Sequence, residues 1–152
     1  YLNSATDIEK AKQTVLERGA NAKAGFVYII SNIGSFGENV YKIGMTRRLN
    51  PIDRVKELSD ASVPFSFDVH SMIFSDDAPK LENELHKIFS NNQVNKVNSK
   101  KEFFKVNIKD IRNQIERMGI EAKWTMLADA KEYKESLAIE NRATANDEEY
   151  VS

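Results

Sequence analysis

The 152-residue sequence contains no cysteine, which excludes disulfides and thiolate-bound metal and is compatible with a reducing interior. With only two histidines, a structural zinc site would have to lean on carboxylates. No apolar run approaches the length needed to cross a bilayer, and the first residues do not read as a signal peptide. The chain starts at Tyr1 rather than at methionine, as expected of a fragment or a processed chain. Strong charge of either sign is also missing, the formal net charge being −1. What is present is a composition of 41% hydrophobic and 30% charged residues, the profile of a soluble globular protein rather than a disordered one. The length suits one ordinary domain with a modest core and helical extensions.

The near-neutral total conceals an uneven distribution. Residues 23–117 carry 15 basic and 12 acidic side chains, whereas residues 118–152 carry 4 and 8. A slightly basic middle followed by an acidic tail permits contact with nucleic acid without requiring it.

Along the chain, Thr6-Asp7-Ile8-Glu9 has the form of a capping box, and the helix that it opens is expected to end near Gly19. "GFVYII" and "NVYKIGMT" read as antiparallel strands, because β-branched and aromatic residues bounded by Gly and Asn suit a hairpin. The connecting loop, from Asn32 to Asn39, is too long for a two-residue turn. Asn50-Pro51 sets an N-cap and first helical position for a short helix burying Ile52, Val55 and Leu58. After Pro64, alternation of Phe65, Phe67, Val69 and Ser71 predicts a third strand. "APKLENELHKIF" predicts a helix with Leu81, Leu85, Ile88 and Phe89 on one face. "EFFKV" predicts a strand, and Asn107 caps "IKDIRNQIERM", whose Ile108, Ile111, Ile115 and Met118 form a seam. Another helix is expected over "AKWTMLADAKEYKESLAIE", packed through Trp124, Met126 and Leu127. Residues 141–152 are expected to be an acidic, flexible tail. The order β-β-α-β-α-β-α predicts an α+β fold: a small antiparallel sheet of three strands and a further short one, flanked by helices. The expected divisions are a helix over 1–22, a domain over 23–118, a C-terminal helix over 119–140, and the tail.

Five fragments in this order, "VYII", "YKIGMT", "DRVKEL", "DAPKLENELHKIF" and "EFFKV", resemble the GIY-YIG nuclease superfamily. More closely, they resemble its branch named for an open reading frame of bacteriophage T-five, described as a DNA-binding domain. The resemblance covers roughly residues 25–118. It implies a metal-dependent endonuclease, a hydrolase of DNA phosphodiesters using Mg2+ or Mn2+. It also implies a bacterial or phage-encoded protein of the cytoplasm. Tyr28 falls where the family has the tyrosine proposed to help activate water. Arg54 falls on the phosphate-contacting arginine, and Glu82 on the carboxylate metal ligand. The chain departs from the pattern in having Lys42 of the triplet Lys42-Ile43-Gly44 where the family has tyrosine, and Leu58 where many members have His or Tyr. Tyr41 precedes Lys42 and should point to the opposite face of its strand.

Each residue also has a bland reading. Tyr28 could be a core aromatic with its hydroxyl satisfied at the rim. Lys42 could be a solvated edge residue, although Gly44 on its face leaves room for a ligand backbone. Thr46, Arg47 and Arg48 extend a basic rim that suits nucleic acid or is ordinary loop charge. Arg54 could pair with Asp53 or Glu57, although its planar fork matches phosphate. Glu82 and His86, four apart, share a helix face, His86 being placed to orient water or phosphate. Glu102 could second Glu82 or be a strand-end carboxylate, and His70 is structural or exposed. Three functional classes remain: a nuclease-like domain acting on DNA, a DNA-binding module of the same fold that does not cleave, and an interaction domain with a vestigial site. In the last, the terminal helices would mediate self-association or join a fusion partner.

Overall fold

The computed structural model describes Glu9, residues 22–98 and residues 101–151, with side chains to residue 144. The helix expected over residues 1–22 therefore lies outside the described residues, apart from Glu9 and Ala22. The two apolar runs form strands β1 (Gly25–Ser31) and β2 (Val40–Thr46). They are joined through a four-residue helix, α1 (Ile33–Phe36), which the sequence reads only as a loop. Its cap is Asn32, whose side chain accepts from the Ser35 amide and donates to the Phe65 carbonyl at 2.5 Å. Then follow α2 (Pro51–Asp60), β3 (Asp68–Ser75), α3 (Ala78–Ile88), β4 (Phe103–Lys105), α4 (Ile108–Arg117) and α5 (Lys131–Val151). The four strands form one antiparallel sheet in the order β3-β1-β2-β4, as expected of the α+β reading.

Alternation along the strands sends successive side chains to opposite faces. Val27, Ile29, Tyr41, Ile43 and Ile73 pack against Leu81 and Leu85 of α3 and Ile108, Ile111 and Ile115 of α4. On the opposite face Phe26, Tyr28, Ile30 and Met72 pack against Val55 of α2, with Ile52 and Leu58 beside it. Each fully buried aliphatic side chain contributes about 1.5–3 kcal/mol, so the α3–α4 face dominates the stability of the domain. Ile88, expected on the apolar face of α3, is instead 44% exposed; it lies at the end of the helix, past the seam of Leu81 and Leu85.

Two further expectations are corrected. The third strand starts at Asp68 rather than at Phe65, and its pairing with β1 shifts between Ile29 and Ile30: Ser71 faces Ile29 and Val69 faces Ile30. His70 is the extra residue. The bulge removes it from simple alternation and turns it inward, fully buried. The second correction concerns the C-terminal helix, which begins at Lys131 and continues to Val151, through the stretch expected to be a flexible tail. Residues 120–130 are not helical. They run as a strap along the edge of β3, where the Thr125 amide donates to the His70 carbonyl at 2.9 Å and Ser71 Oγ donates to the Lys123 carbonyl at 2.9 Å. His70 Nδ1 donates to the Thr125 carbonyl at 2.6 Å, which leaves Nε2 to accept from Ser31 Oγ, also at 2.6 Å. Trp124 and Met126 pack on the α3–α4 core from this strap, whereas Leu127 is 85% exposed. Hydrogen bonding to a sheet edge and burial of one tryptophan outweigh the helix propensity of this segment.

Candidate active site

The α2 face of β2 carries Lys42, Gly44 and Thr46, opposite Ile30, Tyr28 and Phe26 of β1. Tyr41 belongs to the other face, as alternation requires. The Tyr28 ring lies directly across Gly44: a Cβ on that glycine would come within 2.5 Å of the Tyr28 hydroxyl oxygen and 2.6 Å of Cε2 and Cζ. The strand pair thus needs a residue without a side chain for the tyrosine to lie there. α2 presents the Arg54 guanidinium near the Tyr28 hydroxyl, where its charge favours the phenolate. Burial and the Glu102 charge, with a smaller push from Glu82, drive the Tyr28 pKa up to about 12 against the opposing effect of Arg54. At neutral pH the phenol therefore keeps its proton and can both donate and accept.

Lys42 does not sit free at the edge. Its Nζ lies 3.1 Å from Glu102 Oε2 and 5.3 Å from the centre of the Phe103 ring. Glu102 is placed by the sheet itself, for its carbonyl accepts the Ile43 amide at 3.1 Å where the β2–β4 ladder ends.

Beyond that point the edge of β2 is covered by α3 rather than by a strand. Asp77 caps α3 with its side chain, and Leu81 and Leu85 fix its rotation in the core. Glu82 and His86 therefore face the backbone edge. His86 Nε2 donates to the Ile43 carbonyl at 2.7 Å, and Glu82 lies near the Met45 amide. Burial, then the Glu102 charge, raises the Glu82 pKa to about 7, with Lys42 and the Met45 amide opposing. A carboxyl so perturbed, beside a second carboxylate, favours either a proton or a cation. One ligand atom each from Glu82, His86 and Glu102 lies within 4.8 Å of the others. Two carboxylates and an imidazole form a donor set that fits a divalent cation such as Mg2+ or Mn2+.

The structure thus brings Tyr28, Lys42, Arg54, Glu82 and His86 together around the end of β2. The remaining rim residues are placed differently. Thr46 is buried, and its hydroxyl accepts the Arg48 amide at 3.2 Å, closing the turn after β2. Arg47 donates to the Ala22 carbonyl at 2.6 Å. Arg48 pairs with Glu57, which also accepts from Arg54 at 3.3 Å, so one exposed carboxylate holds two rim cations. Sequence reasoning undervalued Glu102, which acts on Lys42, Tyr28 and Glu82 alike. The available signal was its position immediately before the strand that pairs with Lys42.

A family model described as the T5orf172 domain matches residues 25–119, from the first residue of β1 to just past α4. The chain belongs to the T5orf172 domain family. The match covers all four strands and every residue of the cluster above, and it leaves out α5. No curated protein matches the chain significantly, and no solved structure does either. As a T5orf172 domain it falls within a family of nuclease-like or DNA-binding modules. Among the described residues no helix is long and apolar enough to cross a membrane.

Proposed function

We propose that this T5orf172 domain is a GIY-YIG-type nuclease module that hydrolyses DNA phosphodiesters at the end of β2. The observation that carries the reading is the cluster at that strand end: Tyr28 lies across Gly44, and one ligand atom each from Glu82, His86 and Glu102 lies within 4.8 Å of the others. Phosphate binding alone has no use for Glu82, because a carboxylate beside a phosphate repels it unless a cation intervenes.

Hydrolysis requires a positioned phosphate, an activated water and positive charge where the transition state gathers negative charge. Arg54 and Lys42 supply cations for the non-bridging oxygens, Arg54 with the planar fork that matches them. Tyr28, protonated at neutral pH, orients the attacking water through its hydroxyl. Glu82 would hold a divalent ion, which when bound would supply Lewis-acid charge and acidify water. Attack by the water forms the new P–O bond while the bond to the leaving oxygen breaks; the water's proton passes to solvent, and the leaving oxygen takes one from solvent.

The second reading, a DNA-binding module without cleavage, rests on Lys42, which replaces the family's tyrosine and is salt-bridged. Cleavage of supercoiled and branched DNA with Mg2+ or Mn2+, alongside gel shifts, separates the two. Metal-dependent nicking abolished by Glu82→Ala and by Arg54→Ala is the expected result. Binding without cleavage, weakened by Arg54→Ala but not by Glu82→Ala, would replace the nuclease reading with the second one.

A further inference from the structure

Glu102 pairs with Lys42, and its place is set by the backbone bond from the Ile43 amide to its carbonyl rather than by that lysine. We propose that Glu102 is an exchangeable ligand: it pairs with Lys42 in the metal-free domain and turns to a divalent cation held jointly with Glu82 and His86, releasing Lys42 to a phosphate. The inference rests on the proposed phosphodiester site and adds to it a second carboxylate, an imidazole and a coupling between ion and lysine.

Four observations support it. First, the three ligand atoms lie within 4.8 Å of one another. Ligands opposite each other across an octahedral ion at about 2.1 Å are roughly 4.2 Å apart, so closure needs side-chain shifts of a few tenths of an ångström. Second, His86 donates from Nε2 to a backbone carbonyl, so its other ring nitrogen carries the lone pair. A backbone carbonyl on the distal N–H is how metal-ligating imidazoles are commonly oriented. Third, Lys42 is ion-paired with Glu102 and is also the cation that opposes the Glu102 charge at Glu82, so two carboxylates share one positive charge. A divalent ion satisfies both. Fourth, Lys42 shares a face with Tyr28 and Gly44, and its side chain is only 14% exposed. Freed from Glu102, its ammonium is a cation on a flexible four-carbon stem beside the tyrosine that the proposed reaction uses. The imidazole gives the set a preference for Mn2+ over Mg2+, since nitrogen ligands suit the softer ion.

The test needs no DNA. Mn2+ is titrated into the free protein and followed by electron paramagnetic resonance. Glu102→Gln should weaken binding about tenfold or more, and Lys42→Met should leave it unchanged or tighten it. In parallel, the lysine ammonium resonances of the wild type are followed by NMR as Mg2+ is added. The resonance absent from Lys42→Met should shift towards that of a free lysine. Wild-type affinity for Mn2+ in Glu102→Gln, or a Lys42 resonance that ignores a saturating ion, would overturn the proposal. If Glu102→Gln fails to fold, the wild-type NMR titration decides alone. Absence of DNA cleavage would sink the nuclease reading and leave both of these measurements intact.

Discussion

Gly44→Ala puts the packing of the site under direct test. The new methyl would lie 2.5 Å from the Tyr28 hydroxyl oxygen and 2.6 Å from two ring carbons. Comfortable contact between carbons needs about 3.5 Å, so the ring must move by roughly 0.9 Å. Tyr28 is 2% exposed, and the ring is stiff, so the movement is not absorbed by an idle side-chain end. Overpacking of this kind costs about 1–3 kcal/mol, equivalent to a fall in Tm of roughly 3–9 °C for a chain of this size. Urea denaturation of the wild type, Gly44→Ala, Tyr28→Leu and the double variant measures it. In the Tyr28→Leu background the alanine should cost no more than about 0.5 kcal/mol, because the atoms it strikes are gone. Phosphodiester cleavage should fall even at temperatures where Gly44→Ala is fully folded, since the hydroxyl is displaced from its place across Gly44. An equal cost of alanine in both backgrounds would refute the claim that Gly44 exists to admit this ring.

Other outcomes follow from the charges. Glu82, raised from 4.5 to about 7, binds its proton more tightly folded than unfolded, so the metal-free domain should lose stability as pH rises through that window. The effect should be on the order of 1 kcal/mol after screening at a half-buried site, and it should vanish in Glu82→Gln when denaturation is repeated from pH 4 to 8. His70 acts in the opposite sense. Burial lowers its pKa, so the stability that it contributes is present above about pH 6.5 and is lost on acidification; His70→Gln should flatten that limb. Glu57→Gln should free Arg48 and Arg54 together and tighten DNA binding a few-fold at low salt, a gain that disappears as salt is raised in a binding titration.

Much of this arrangement is legible in the sequence because local chemistry fixes it. Asn50-Pro51 and Asn107 start helices where capping rules place them, and the isoleucine spacing of α4 turns one face inward. Strand alternation separates Tyr41 from Lys42 and sets Lys42 beside Gly44. What local chemistry does not encode is long-range satisfaction of backbone groups. The bulge that buries His70 becomes visible only with β1 as a partner, and the strap over 120–130 only with a β3 edge to cover. Similarly, His86 reads as half of an i,i+4 polar pair with Glu82 until the open edge of β2 shows which carbonyl it meets. Glu102 gains its importance from a residue 60 positions earlier in the chain, a separation that spacing arguments do not bridge.

The central claim is that Tyr28 and Glu82 serve one reaction at one phosphate. The most direct test compares metal-dependent DNA cleavage rates, under single-turnover conditions, for Tyr28→Phe, Glu82→Gln and the double variant. Groups that act as a unit give strongly non-additive losses, so the double variant should be hardly slower than the slower single variant. Losses that multiply, or a Glu82→Gln enzyme that cleaves at the wild-type rate, would contradict the account.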